Sequence, residues 1–471
     1  MKRFLICLLS LSLLLACVPT PEEDAVKQKD TVATVDFVRS ANAEPSEAQA
    51  VPVREQMPSH LNWDFYTDAQ HVRVTADVPI RILTENRFPL LRCMRKQPTA
   101  DENLALSKRL LGLDTVYLQV PQYTKADLER EIEVLMNLIY NNDHSAEIWK
   151  DHTEEEMKAE VIPRWKQQLE TLQEQYRSMP DDGPAPNPVW DGSIDDWTAR
   201  AVPGPRNTNA QDCDFVNFQV GSYEPKSWDL WYAKAEQFGC FWSHAVKQID
   251  PSAYDTPQDG FTITPNQAIA AVQELLDPFV KTAVNAVRVN DNSSDSTAED
   301  PAYRAEYAYG IYLTPIYHGS AAGVYLSNFT QDVSEENWAV IWNRETIFAA
   351  VNDDGILQII WSEPLTVTEV VAENCPLLPF DEIEALAKRQ LNRLTAAEEH
   401  ANTTLTVTGV TLGLVRIAEP NEQQQALLAP MWCFYGDWIM PDGRNAVPDE
   451  SWAILMINAI DGTPYNPLIG Y

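Results

Sequence analysis

Residues 346 to 361 read TIFAAVNDDGILQIIW, two apolar runs of strand length separated by Asn352, Asp353, Asp354 and Gly355. Apolar runs of this length bounded by turn residues favour strands. An Asp-Gly step at the break supplies the backbone freedom that a tight reversal needs. The stretch therefore predicts an antiparallel hairpin turning at Asp354 and Gly355, and what surrounds it recurs. Upstream, Thr264 caps and Pro265 opens a helix with Ile269, Val272, Leu275, Leu276 and Phe279 on one face. Strand-like AYRAEYAYGIYLTPIY and NWAVIW lie between that helix and the hairpin. Downstream, PFDEIEALAKRQLNRL predicts a second helix, with Phe380, Ile383, Leu386, Leu391 and Leu394 on one side, acids at its start and bases at its end. Three strand-like segments follow: LTVTGVTLGLVRIAE, ALLAPMWCFYGDWIM and SWAILMINAIDGTPYN. The last runs from Asn458 into Asp461-Gly462 much as Val351-Asn352 runs into Asp354-Gly355. The expectation is an α+β fold with helices packed on antiparallel sheets, and a helix-plus-sheet unit duplicated over residues 261–375 and 376–471.

Upstream of these units the pattern is less regular. Residues 59–180 read as an N-terminal α/β region. HVRVTADVPIRIL (71–83) alternates like a half-buried strand. A helix starting at Thr124 places Leu128, Ile132, Leu135 and Ile139 on one face. A second, starting at Thr153 with a capping box to Glu156, aligns Val161, Trp165, Leu169, Leu172 and Tyr176 and is expected to bend at Pro163. Residues 181–260 are rich in Pro, Gly, Asp and Trp and predict an irregular region. Residues 17–58 are dominated by Pro, Ala, Glu, Gln and Ser and predict a disordered tether.

The first 16 residues have a different character. Lys2 and Arg3 precede an apolar run from Phe4 to Leu15, of signal-peptide length and too short to span a bilayer. The run ends Leu14-Leu15-Ala16-Cys17 and gives way at once to proline and acid. This border resembles the lipobox of bacterial lipoproteins, in which the cysteine is diacylated and the chain is cut just before it. The resemblance implies a signal peptide over 1–16 and a bilayer anchor through diacylglycerol on Cys17. Two acyl chains hold where one is marginal, since each buried methylene contributes about 0.8 kcal/mol.

The net charge is −34, and −36 once Lys2 and Arg3 are removed. A polyanion of this kind excludes nucleic acid as the expected partner. Beyond Cys17 five cysteines remain (93, 213, 240, 375 and 433), without a CxxC pair. That pattern argues against a disulfide framework and against structural zinc, although Cys213 and Cys240 are spaced to close one loop. No HExxH occurs and the seven histidines are scattered; His144 and His152, eight apart, could approach each other only across an intervening turn. GSAAG (319–323) has Ser320 one place early for a nucleophile elbow. DNSSDSTAED, from Asp291, lacks the glycine and the terminal glutamate of a calcium loop. The sequence thus calls for no catalytic residue, metal or cofactor. The aromatic cluster SWDLWYAKAEQFGCFWSH (227–244) is the best place to expect ligand or partner contact, through Trp228, Trp231, Tyr232 and Trp242. At helical spacing Trp228, Trp231 and Tyr232 would instead share one face and pack inward.

The stretch VNDDGILQIIWSEPLTVTEVVAENCPLLPFDEI, with MWCFYGDW and ILMINAIDGTPYN, resembles Gram-positive envelope lipoproteins that carry a domain of unknown function. Its C-terminal half is similar to PepSY-type modules and to extracytoplasmic regulators of a cell-wall histidine kinase. The resemblance implies a non-enzymatic module on the outer face of the cytoplasmic membrane that binds or restrains another envelope protein. It carries over no functional residue. A carbohydrate binder or glycoside hydrolase built around the tryptophans is the alternative reading, and a solute-binding lipoprotein the second.

Overall fold

The computed structural model describes Val35, Val38 and residues 52–84, 86–120, 125–140, 157–179, 186–194, 198–206, 213–220, 228–234, 245–258, 260–290, 308–323, 345–418, 425–446 and 453–465. In chain order its helices are α1 (Val53–Gln56), α2 (Ala100–Leu111), α3 (Lys125–Tyr140), α4 (Ile162–Ser178), α5 (Pro265–Leu276) and α6 (Phe380–Leu394). Strands β1 (His60–Tyr66), β2 (Arg73–Ile82) and β3 (Leu90–Arg95) precede α2, and β4 (Tyr117–Leu118) follows it. After α4 come β5 (Thr198–Val202), β6 (Phe215–Val220), β7 (Trp228–Ala233) and β8 (Ala245–Gln248). After α5 come β9 (Thr282–Asn290), β10 (Tyr309–Tyr317), β11 (Ser320–Ala321), β12 (Thr346–Asn352), β13 (Gly355–Ser362) and β14 (Leu365–Ala372). After α6 come β15 (Thr404–Ala418), β16 (Gln425–Ile439), β17 (Ala453–Asn458) and β18 (Pro464–Tyr465).

The strands form two sheets, antiparallel except that β2 runs parallel to β15. The ten-stranded sheet is ordered β4-β5-β6-β7-β13-β12-β10-β9-β8, with β11 folded back on β10. The eight-stranded sheet is ordered β1-β2-β15-β16-β17-β18, and β3 pairs with both β16 and β14. Helices α2 and α5 cover one face of the larger sheet, where Leu106, Leu110, Ile269, Val272 and Leu276 meet Val216, Leu230, Ile311 and Ile359. Their C-terminal ends are joined by Arg109, which donates to the carbonyls of Glu274 and Leu275, both at 2.7 Å. Helix α6 covers the smaller sheet through Ile383, Ala387 and Leu391. The fold is α+β, as the patterning predicts.

The duplicated unit is visible in detail. Each C-terminal helix is followed by a four-stranded meander: β9-β10-β12-β13 after α5 and β15-β16-β17-β18 after α6. The turn between third and fourth strands is built alike in both. Asn352 Oδ1 accepts the amide of Asp354 at 2.9 Å, and Asn458 Oδ1 accepts that of Ile460 at 2.9 Å. Both are Asx turns, in which a short side chain takes the place of a backbone acceptor. The residue after each Asn then holds the residue two places before its helix. Asp353 accepts the amide of Ile263 at 3.0 Å, and the Ala459 carbonyl accepts that of Leu378 at 2.8 Å. A third helix-then-meander, α2 with β4-β5-β6-β7, is interrupted after β4 by α3 and α4, which pack on each other around Leu128, Leu135, Trp165 and Leu169.

Several boundaries fall elsewhere than the sequence pattern puts them. Val35 and Val38 are helical, 4% and 0% exposed, and packed against Leu427, Cys433 and Met456, while Val53 lies in the α6-covered core. The packed part of the chain therefore begins inside the expected 17–58 tether, because two valines three apart on one helical face escape a compositional reading. Residues 59–180 are not a separate unit either: β1, β2 and β3 belong to the C-terminal sheet, and α2 and β4 to the larger one. The 181–260 segment, expected to be irregular, supplies β5 to β8. Helix α2, β1, β3 and β9 are additions to the expected elements. Pro163 sits in the first turn of α4, directly after a π-helical turn over Met157–Val161. The Thr124 cap, the Thr153–Glu156 box and NWAVIW lie outside the described residues.

Candidate functional site

The chain passes between the sheets twice at one corner. It leaves the smaller sheet at the end of β3 and enters it again at the start of β14, and these two segments pair side by side, Arg95 opposite Leu365. Lys96 donates its amide to the Pro364 carbonyl at 2.7 Å. Glu345, just before β12, is 6% exposed and points its carboxylate into this corner. Its Oε1 accepts the Trp361 indole N–H at 2.8 Å, and its Oε2 accepts the Leu365 amide at 3.3 Å and the Tyr317 hydroxyl. The ends of β10 and β13 and the starts of β12 and β14 therefore converge on one carboxyl group.

Burial pushes the Glu345 carboxyl up to about 7, although the hydroxyl of Tyr317, the indole of Trp361, the amide of Leu365 and the ammonium of Lys96 all pull it down. Desolvation wins because the ionised form has lost its water in a low-dielectric interior. Tyr317 is raised well above its usual value by burial and then by the facing Glu345. Next to this pair runs an ion pair, Arg95 Nε to Glu363 Oε2 at 3.2 Å, both side chains at most 10% exposed. Asp229 on β7 accepts the Glu363 amide at 3.2 Å, and burial raises its carboxyl against the pull of Ser362, that amide and Arg95. Glu363 holds φ at +51°, a left-handed conformation costing about 1 to 2 kcal/mol in a residue with a Cβ. Such strain persists where the surroundings over-determine it. Lys96 reaches outward to Glu102 at 3.1 Å and lies 5.7 Å from the Trp361 ring centroid.

This corner can hold or release a proton near neutral pH, and Glu345 and Glu363, 6% and 5% exposed, are enclosed within it. Sequence patterning did not single out any of its members. Trp228, which it did, lies alongside: its ring meets Trp361 edge-on at 5.4 Å, and its carbonyl accepts the Glu363 amide at 3.0 Å. Trp228 and Tyr232 face the helix-covered core, 2% and 7% exposed, while Trp231 faces the opposite side of β7, edge-on to Phe215 at 5.9 Å. The stretch is a strand, so alternation separates Trp231 from its neighbours where helical spacing would have grouped the three. Trp242, Cys17, His144, His152, Cys240 and the DNSSDSTAED loop lie outside the described residues.

Ser320 of GSAAG is fully buried, its hydroxyl donating to the Arg87 carbonyl at 3.1 Å and bonded to Thr84 Oγ1 at 3.0 Å. Ala322 and Gly323 run against β15, and the Tyr435 hydroxyl donates to the Gly323 carbonyl at 2.7 Å. A Cβ on Gly413 would stand 2.6 Å from the Gly323 Cα and one on Gly323 3.2 Å from the Gly413 Cα, so the seam excludes a side chain at Gly413 and leaves little room for one at Gly323. The motif is a seam between the sheets. The Cys93, Cys375 and Cys433 side chains are buried, that of Cys213 is partly exposed, and no group of three metal-ligating side chains occurs among the described residues.

No family model matches the chain, and no curated protein is similar to it. A solved structure of an uncharacterized protein from Eubacterium rectale superimposes with a TM-score of 0.48 at 10% identity, over 92% of this chain and 98% of its own.

Proposed function

We propose that the chain is an extracytoplasmic lipoprotein, anchored through diacylglycerol on Cys17 to the outer face of the cytoplasmic membrane, and that it acts there as a non-enzymatic binding or regulatory module for an envelope protein. The observation that carries this reading is the border Leu14-Leu15-Ala16-Cys17, which follows a basic and apolar segment of signal-peptide length. The geometry of the described residues is consistent with it. Ser320 and Glu345, the side chains with the most chemical potential, are absorbed into the seams between the sheets, and Trp228 and Tyr232 into the core. A sugar site would use those rings as open platforms, so the carbohydrate reading draws less support.

The test is replacement of the thiol. In a Gram-positive host fed an alkyne fatty acid, the native chain is expected to take up label and sediment with membranes. The Cys17→Ser chain should do neither. A Cys17→Ser product that still sediments with membranes removes the anchor. For the binding role, site-specific crosslinking on intact cells is expected to join the native chain to a defined envelope protein, and recovery of bulk neighbours alone refutes it.

A further inference from the structure

The corner where the chain crosses twice between the sheets has no evident reason to contain a carboxyl group. A buried Leu or Met would avoid desolvating a charge but would leave the Trp361 indole, the Leu365 amide and the Tyr317 hydroxyl without this acceptor, whereas Glu345 must be kept ionised without water or kept protonated. Its donors come from separate elements: Tyr317 from β10, Trp361 from β13 and Leu365 from β14. Three strands therefore converge on one group. We propose that Glu345 is a proton-operated clasp between the two sheets, closed when its carboxyl carries a proton and loosened when the proton leaves.

The groups that face it set the response. From β3 comes the Cys93 thiol, beside Tyr317, and from the residue after the strand the Lys96 ammonium. From α2, Glu102 engages Lys96 at 3.1 Å and so draws on the cation that faces Glu345. From the β13–β14 link and β7, Glu363 and Asp229 share Arg95, which leaves that guanidinium occupied with its own two acids. The exposed His318 neighbours Tyr317 in sequence. The corner thus balances one partly diverted lysine against a carboxylate stripped of water, and loss of the proton leaves an anion held by three neutral donors. The inference stands apart from membrane anchoring and needs no partner.

The sign follows from linkage. A carboxyl raised from 4.5 to about 7 in the folded state contributes stability that is complete below the lower value and lost as pH rises through the higher one. Hydrogen exchange read by mass spectrometry on the full chain, corrected for the intrinsic pH dependence of exchange, tests this. Opening over residues 345–351 and 361–368 is expected to increase about tenfold from pH 6 to 8.5. In Glu345→Gln the part of that increase owed to Glu345 should vanish, while the contribution of Asp229 is common to both chains and cancels in the comparison. If Glu345→Gln does not fold, Tyr317→Phe serves instead. It removes a donor that lowers the Glu345 value, so the midpoint of the opening should move to higher pH. Parallel pH curves for the native and Glu345→Gln chains, or an unmoved midpoint in Tyr317→Phe, overturn the proposal.

Discussion

Gly462 is where the duplicated unit can be tested by a single methyl group. It lies at φ +73° in the turn between β17 and β18, and a Cβ there would stand 2.5 Å from Leu386 Cδ1 and 3.2 Å from Leu378 Cδ1. Gly462→Ala therefore carries two costs. The left-handed backbone is worth about 1 to 2 kcal/mol for a residue with a Cβ. Overpacking against α6 is worth about 1 to 3 kcal/mol, toward the lower end because the atom struck is the tip of a leucine. The sum is about 2 to 4 kcal/mol. Gly355, at φ +104° where β13 leaves the matching turn, has open space around it, with nothing within 4 Å of where a Cβ would stand. Gly355→Ala therefore carries the backbone cost alone, about 1 to 2 kcal/mol.

The difference between the two substitutions isolates the contact between turn and helix. Urea unfolding followed by tryptophan fluorescence should place the Gly462→Ala midpoint below that of Gly355→Ala, which in turn lies below the native chain. Adding Leu386→Ala to Gly462→Ala removes the atom the methyl strikes. The two changes should then combine less than additively, by about 1 kcal/mol or more. Equal midpoints for the two alanine variants, or strict additivity with Leu386→Ala, would refute the claim that this turn is wedged against its helix.

Asp353 makes the corresponding connection by hydrogen bonds, accepting from the amide and hydroxyl of Thr262 and the amide of Ile263, the last of which does most to hold its carboxyl below the usual value. A lowered carboxyl contributes stability that is present above its unfolded value and lost as pH falls through the folded one. Asp353→Asn should therefore flatten the acid limb of a stability curve below about pH 4, and an unchanged limb counts against the tie. Cys93, Cys375 and Cys433 are buried, and burial alone drives the Cys375 thiol far above its ordinary value. N-ethylmaleimide should leave all three unmodified in the native chain and label them in urea, read by peptide mass; rapid native labelling of Cys375 would contradict its placement.

The C-terminal units were legible in the sequence because their signals are local. Thr264 and Gln267 form a full capping box around Pro265, and Ile383 and Leu391 are buried on the face their spacing assigns. The hairpin differs by one residue: Asp353 and Asp354 form the turn, and Gly355 opens β13 with a positive φ. Strand β9 was not legible because Asn285 and Arg288, both buried, break the apolar pattern of TAVNAVRVN. In β7 the spacing was ambiguous, since Trp228, Trp231 and Tyr232 satisfy a helical face while Trp228, Leu230 and Tyr232 satisfy a strand. Six residues are too few for periodicity to decide between them. The sheet decides, because β6 and β13 flank β7 on both edges.

The corner around Glu345 was illegible for a different reason. Lys96, Asp229, Tyr317, Glu345, Trp361 and Glu363 come from five stretches of chain, and none has a local pattern that marks it. Glu345 is one acid among 69 Asp and Glu, distinguished only by standing directly before the apolar run TIFAAV, and Glu363 only by following GILQIIWS and preceding Pro364. In a chain of net charge −34, an acid at the end of a strand is expected on the surface, where it keeps water. What reverses the expectation is topology: because β3 leaves and β14 enters at the same place, strand ends that would normally face solvent are turned toward each other. A carboxylate caught there must find donors within the protein, and the indole, hydroxyl and amide that supply them are fixed by strand pairings, some local, as β13 with β12, and some distant in sequence, as β14 with β3. The same argument makes the site specific. Moving β14 by one residue against β3 would carry the Leu365 amide away from Glu345 and Glu363 away from Arg95 together, so the two buried acids favour the observed register over its neighbours.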